Sequence, residues 1–244
     1  MIPQYHWNWS ILIEHPYLGW LMDGFAVTVA LSLAAWVIAF SLGTLIAIMR
    51  TTSSRALRTV AAGYVQVFRN IPIVVQMFLW FFVLPEVVPH HVGYFLKRQM
   101  PYPEFVTGAV CLGFYTAARV AETMRAGIES IGPGKQNAAL ASGMTTIQTY
   151  RYVLLPLAYR LMLPPLISEF LTVFKNSSVA LTIGVFELTM QAHQIESDTF
   201  QGFEAFTAAT LLYALISTVC LSLANMVAAR GRIGGMIGQA GDAR

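Results

Sequence analysis

The sequence predicts an all-α membrane protein of about five transmembrane helices, and three observations predict it. Of the 244 residues, 56% are hydrophobic and only 11% charged, against roughly 25% charged in an ordinary soluble domain. Two stretches, from Met22 to Arg50 and from Phe206 to Arg230, carry almost no charge; each reaches the ~20 apolar residues that cross a ~30 Å hydrocarbon core as a helix. Most of the basic residues fall in a few short connections between apolar runs. In lipid every backbone donor and acceptor must be satisfied within its own segment, so helix is the expected form.

The first span is expected near 23–49. The second, near 59–84, is interrupted by Pro72, and the third runs near 104–125. The fourth starts after Pro156, near 160–176, with Pro164 and Pro165 inside it, and the fifth lies near 206–229. Between the last two, 178–205 begins apolar and ends acidic, too short and mixed for a span, so a re-entrant or surface segment is expected there. The chain reads as one membrane domain, 1–244, with a Gly-rich tail at 231–244 expected to be flexible. The first twenty residues have no basic start and no small-residue cleavage site, so no signal peptide is expected. Their aromatic residues, Trp7, Trp9 and Trp20 among them, suit a membrane interface.

The basic residues set the orientation. Arg50, Arg55 and Arg58 follow the first span, Arg125, Lys135, Arg151 and Arg160 lie between the third and fourth, and Arg230, Arg232 and Arg244 close the chain. With five spans all fall on one side, while the other side has only Lys97 and Arg98, leaving Glu187, Glu196, Asp198 and Glu204 unopposed. By the positive-inside rule the N-terminus is outside and the C-terminus cytoplasmic. The net charge of +3 is not gathered into one face, so no nucleic-acid partner is expected. Cys111 and Cys220 sit in apolar runs and His90-His91 lack ligand spacing, so neither a disulfide nor a metal site is expected.

The connection 126–157 is the most informative loop. Gly132, Pro133 and Gly134 break the chain after the third span. Lys135 to Ala141 is rich in helix formers, with Gly143 placed as a C-terminal stop. A second amphipathic run, Ile147 to Leu155, leads to Pro156. A short helix across the cytoplasmic end of a bundle is suited to docking in a groove of a soluble partner and transmitting rigid-body movement.

Here the sequence resembles a known family. Asn137-Ala138-Ala139, three residues, Gly143, nine residues, then Val153-Leu154-Leu155-Pro156 resembles the EAA loop of ABC-importer permeases, with Asn137 in place of Glu and Val153 in place of Ile. Phe68-Arg69-Asn70-Ile71-Pro72 with Val74-Val75-Gln76, and Lys175-Asn176-Ser177-Ser178 with Ile183-Gly184, resemble two further segments of polar amino acid permeases. Thr116 to Val120 and Gln136 to Ala141 are similar to runs of the glutamate/aspartate branch. The resemblance implies a type I ABC-importer permease fold in a bacterial inner membrane, with Asn137, Ala138, Ala139, Gly143, Leu155 and Pro156 in the ATPase-coupling loop. It also implies as partners two ATP-binding subunits, a periplasmic substrate-binding protein and a second permease, a related paralogue before a second copy of this chain. No cofactor is expected on this chain; ATP and Mg belong to the partner ATPase. Gly134-Lys135-Gln136 departs from a phosphate loop, having Glu129 where its first glycine belongs and Gln136 for Ser/Thr. No nucleophile–base pair is visible, so no catalytic residue is expected.

Ionisable groups inside a bilayer are costly and mark candidate sites. Arg69, Arg119, Glu122, Glu169 and Lys175 qualify. Tyr115, Arg119 and Glu122, spaced i, i+4, i+7, share one helical stripe. At 1.5 Å per residue Arg119 and Glu169 fall at similar depths, roughly 9 and 12 Å from the cytoplasmic ends of their spans. An acidic amino acid presents two carboxylates and an ammonium, and Arg is the better bidentate partner for carboxylate. The resemblance sharpens this, because many members carry an aromatic residue where Arg119 stands. Two readings of Arg119 stay open: a receiver of substrate carboxylate, or an intrahelical partner of Glu122. Arg69 either lines the pathway or caps a helix broken at Pro72. Lys175 and Asn176 form either a gate or a plain C-terminal cap. A secondary transporter or channel working without an ATPase is the competing function, and it leaves the EAA-like loop unexplained.

Overall fold

The computed structural model describes residues 5–231, so the tail at 232–244 lies outside the described residues. The path is helical throughout: α1 Tyr17–Thr51, α2 Arg55–Asn70, α3 Ile73–Val87, α4 His90–Tyr94, α5 Pro103–Ser130, α6 Pro133–Ala141, α7 Thr146–Ile183, α8 Leu188–Thr199 and α9 Gly202–Gly231. Three of these, α1, α7 and the Gly202–Ala224 part of α9, are long and apolar enough to cross a membrane, and the bent pair α2–α3 adds a fourth if taken as one span. Helix α5, the expected third span, is not among them on apolarity. Its 28 residues are nonetheless about 42 Å long at 1.5 Å per residue.

Helix α5 is the axis of the fold. Ala117, Ala118, Val120, Ala121 and Met124 are fully buried, with α1, α2 and α7 packed around them. Glycines set how closely α1 approaches: a Cβ on Gly43 would lie 2.7 Å from Val120, and one on Gly113 2.8 Å from Ile38. Small residues at the crossing let two backbones meet, as is usual where lipid removes the hydrophobic drive between helices. This packing turns the Tyr115, Arg119 and Glu122 stripe away from the buried face; all three are half-buried.

Proline explains the irregular turns. Three helices widen to i→i+5 bonding, at Leu79–Val83, Phe95–Gln99 and Tyr150–Leu154. Each closing N–H, of Leu84, Met100 and Leu155, precedes a proline, namely Pro85, Pro101 and Pro156. Where the helix runs on through the proline, at Pro85 and Pro156, the ring would clash with the carbonyl four residues back and brings no N–H, and a widened turn relieves both faults; Met100 is extended, so there the helix ends before Pro101. The expected fourth span is thus corrected at its start. Helix α7 begins at Thr146, ten residues before Pro156, and runs through Pro164 and Pro165 without a break.

At Pro72 the chain does break, and α2 and α3 diverge by 104°. The buried side chain of Gln76 bridges the gap, its Nε2 donating to the carbonyls of Phe68 at 2.9 Å and Ile71 at 2.8 Å. Gln76→Leu removes both bonds and strands two carbonyls, which should cost about 1–3 kcal/mol and lower the thermal midpoint of the purified protein. An unchanged midpoint would mean that Pro72 alone holds the bend.

Of the two readings of 178–205, re-entrant or surface, its packing is against the surface one. A 3-10 turn Ser177–Ile183 leads through Gly184, at φ +88°, into α8. Leu188, Ala192 and Ile195 are fully buried in a cluster with Leu21 of α1 and Ala205 and Ala209 of α9. Glu187 and Glu204, expected as unopposed outer charges, are fully buried too. Glu187 caps α8, accepting from the N–H groups of Thr189 at 3.0 Å and Met190 at 2.9 Å and from the Tyr213 hydroxyl at 2.6 Å. Glu204 accepts from the Tyr5 hydroxyl and, at 2.8 Å, from the Asn8 N–H. Buried carboxylates persist when hydrogen-bonded in this way, and the second of them fastens the N-terminal segment to α9.

Candidate functional site

Arg119 on α5 meets Glu169 on α7. Its Nε donates to Oε2 at 2.6 Å and its Nη2 to Oε1 at 3.1 Å, a bidentate ion pair. Fork-on-fork pairing is the strongest geometry open to these groups, and it joins α5 to α7. The pair is unevenly covered, with Arg119 41% exposed and Glu169 15%. The guanidinium therefore keeps an open side, and half-buried Tyr115 stands one turn away along the same stripe.

Glu122 does not pair with Arg119. Arg50 of α1 and Arg125, one turn further along α5, donate to its two oxygens, the latter at 3.0 Å, while Arg69 stands 3.9 Å away. Of the two readings of Arg119, the intrahelical pair is thus not the one formed, because Glu122 already has two other partners. Arg50 is the member that sequence reasoning missed: its place in a short basic loop identified it only as an orientation signal. Arg69 is 52% exposed at the α2–α3 break. Lys175 is exposed near the end of α7 and lines a cavity of about 420 Å³ with Ser178, Thr189, Thr210, Tyr213 and Ser217. Asn176 is half-buried beside it. The pathway candidates therefore form three groups: Arg119 with Glu169 and Tyr115; Arg69 with Glu122; and Lys175 with Asn176.

The loop residues form a compact projecting unit. Gly132, at φ +77°, starts α6 ahead of Pro133. The helix ends in a Schellman motif, with the Met144 N–H bonding the Ala139 carbonyl at 3.2 Å and the Gly143 N–H that of Leu140 at 3.0 Å. Gly143 supplies the required left-handed residue at φ +84°. Ala139 faces inward, whereas Asn137, Ala138 and Gly143 are exposed. A capping box follows, which sequence reasoning passed over although the Thr-x-x-Gln signal is there: the Gln148 N–H donates to Thr145 Oγ1 at 3.3 Å and the Thr145 N–H to Gln148 Oε1 at 2.8 Å. Leu155 is half-buried and Pro156 exposed on the widened turn beyond. Leu140, Met144 and Ile147, the last 79% exposed, present an apolar knuckle. Among the described residues no three His, Cys, Asp or Glu side chains come together as a metal site.

The described residues form a helical bundle with helices long and apolar enough to cross a membrane, an ion pair between two of its helices, and a loop that exposes Leu140, Met144 and Ile147. The chain belongs to the family of binding-protein-dependent transport system inner membrane components, whose model matches residues 39–233. It is similar to the glutamate/aspartate import permease protein GltJ of Escherichia coli (strain K12), 42% identical over 95% of this chain and 98% of that protein. It is also similar to GltK, named likewise a glutamate/aspartate import permease protein, from Escherichia coli O6:H1, 30% identical over 87% of this chain and 96% of that one. Among solved structures it is similar to an amino acid ABC transporter crystallised with histidines, with a TM-score of 0.76 and 29% identity over 93% of this chain and all of that chain.

Proposed function

We propose that this chain is the permease subunit of an ATP-driven importer of acidic amino acids, glutamate and aspartate, moving them from periplasm to cytoplasm by alternating access. The observation that carries the reading is Arg119, a half-open guanidinium already holding a carboxylate in bidentate geometry on a core helix. The naming of GltJ and GltK as glutamate/aspartate permeases supports the same substrate class. That the chain is similar to both also supports pairing with a related permease. The remaining partners are two ATP-binding subunits, which supply the ATP and Mg chemistry, and a periplasmic binding protein. In this reading the knuckle of Leu140, Met144 and Ile147, between α6 and the start of α7, seats in the ATPase, and Asn137 makes the contact with an uncharged amide.

Two measurements test the arrangement. Single cysteines replacing Leu140 or Ile147 should cross-link to the co-expressed ATPase, and the absence of any cross-link would remove the docking role from this loop. For orientation, cysteines at Lys97 and Gln201 should react with an impermeant reagent added outside, and one at Ser54 should not. Labelling of Ser54 from outside would reverse the topology.

A further inference from the structure

Helices α1, α2 and α5 line a second polar cavity that the Arg119 pair does not use. Arg50 at the end of α1, Gln66, Arg69 and Asn70 at the end of α2, and Glu122 on α5 line about 390 Å³, within the range of small-ligand pockets. Glu122 is the hub, held by Arg50 on one oxygen and Arg125 on the other. Arg125 continues to Glu129 at 2.5 Å. Arg50, Arg69 and Arg125 against Glu122 and Glu129 leave one positive charge in surplus. Arg69 is where the surplus lies: its nearest carboxylate oxygen is 3.9 Å off, beyond hydrogen-bond reach.

We propose that this cavity is a second carboxylate site, occupied by the acidic amino acid as it leaves toward the α6 side. The proposal rests on the acidic-substrate reading. A substrate carboxylate placed between Arg69 and Arg50 receives charge-assisted hydrogen bonds. The ammonium turns to Glu122, and Gln66 and Asn70 offer amides. The site also touches the coupling segment. Arg50, Glu122, Arg125 and Glu129 form one chain of ion pairs, and Arg50 and Glu129 line the adjoining cavity with Pro133 and Gln136 of α6. A carboxylate that draws Arg50 from Glu122 therefore acts on the foot of the docking helix, and occupancy slows ATP hydrolysis.

The test uses the assembled complex in proteoliposomes, with the α6 side facing outward and binding protein with glutamate inside. Glutamate added outside should slow hydrolysis, and Arg69→Gln should raise the half-inhibiting concentration about tenfold or more, the loss expected for one charge-assisted bond. Arg69 is half exposed with no hydrogen bond in the network, so the variant should fold. An equal half-inhibiting concentration in both proteins would overturn the site. So would equal inhibition by inorganic phosphate, which marks an adventitious ion only. A complex that imports glutamate yet ignores it outside would overturn this inference alone, whereas one that imports no acidic amino acid would overturn the reading beneath it as well.

Discussion

Arg119→Gln is expected to cut glutamate and aspartate uptake ten- to a hundredfold while the permease still assembles. The guanidinium contributes charge-assisted hydrogen bonds, and losing one costs roughly 1.5–3 kcal/mol, which is that range in affinity. A second effect has to be separated from the first. The same substitution strands Glu169, which is 15% exposed, and breaking a buried pair costs up to ~3–5 kcal/mol. The larger exposure of Arg119 lets solvent reach the pair and lowers that penalty. Arg119→Gln with Glu169→Gln puts two neutral amides in place of the pair, so thermal stability should return toward that of the parent. Uptake should not return, because no cation is left at the α5–α7 contact to receive a carboxylate. Full recovery of uptake in the double variant would reduce Arg119 to a strut between α5 and α7.

Gly143→Val should uncouple ATP hydrolysis from transport while leaving membrane insertion intact. A Cβ at Gly143 would meet nothing within 4 Å, so crowding is not the reason. The reason is φ +84°, a left-handed conformation that costs an L-residue roughly 1–2 kcal/mol and is an outlier for a β-branched one. With the Schellman turn opened, the Leu140 and Met144 edge of the knuckle loses its angle to Ile147. Asparagine tolerates the left-handed region, so Gly143→Asn should keep most of the coupled hydrolysis. If Val and Asn behave alike in the reconstituted complex, the turn geometry is not what the ATPase reads.

What was legible in the sequence follows what is periodic. The stripe of Tyr115, Arg119 and Glu122 follows from a fixed turn per residue and holds in the structure, whereas the depths of Arg119 and Glu169 are counted from helix ends that the structure moves to Ser130 and Thr146. The stop at Gly143 was legible because one backbone conformation dictates one residue type. The partner of Glu122 was not, since Arg50 lies 72 residues away and reaches it only because Gly43 lets α1 lie close on α5. Glu187 and Glu204 looked like solvated charges because their burial depends on distant groups, the Tyr213 hydroxyl for one and the Tyr5 hydroxyl for the other. The start of α7 at Thr146 precedes the expected one near residue 160, because a widened turn at Tyr150–Leu154 carries the helix past Pro156.

The central claim is that this permease moves acidic amino acids only at the expense of ATP hydrolysed by a docked partner. Its most direct test is uptake of labelled glutamate into proteoliposomes holding this chain, its paired permease and the ATPase, with binding protein outside and ATP inside. The account predicts uptake that needs ATP and binding protein together and is competed by aspartate. Glutamate uptake by the two permeases alone, driven by a sodium or proton gradient without the ATPase, would contradict it.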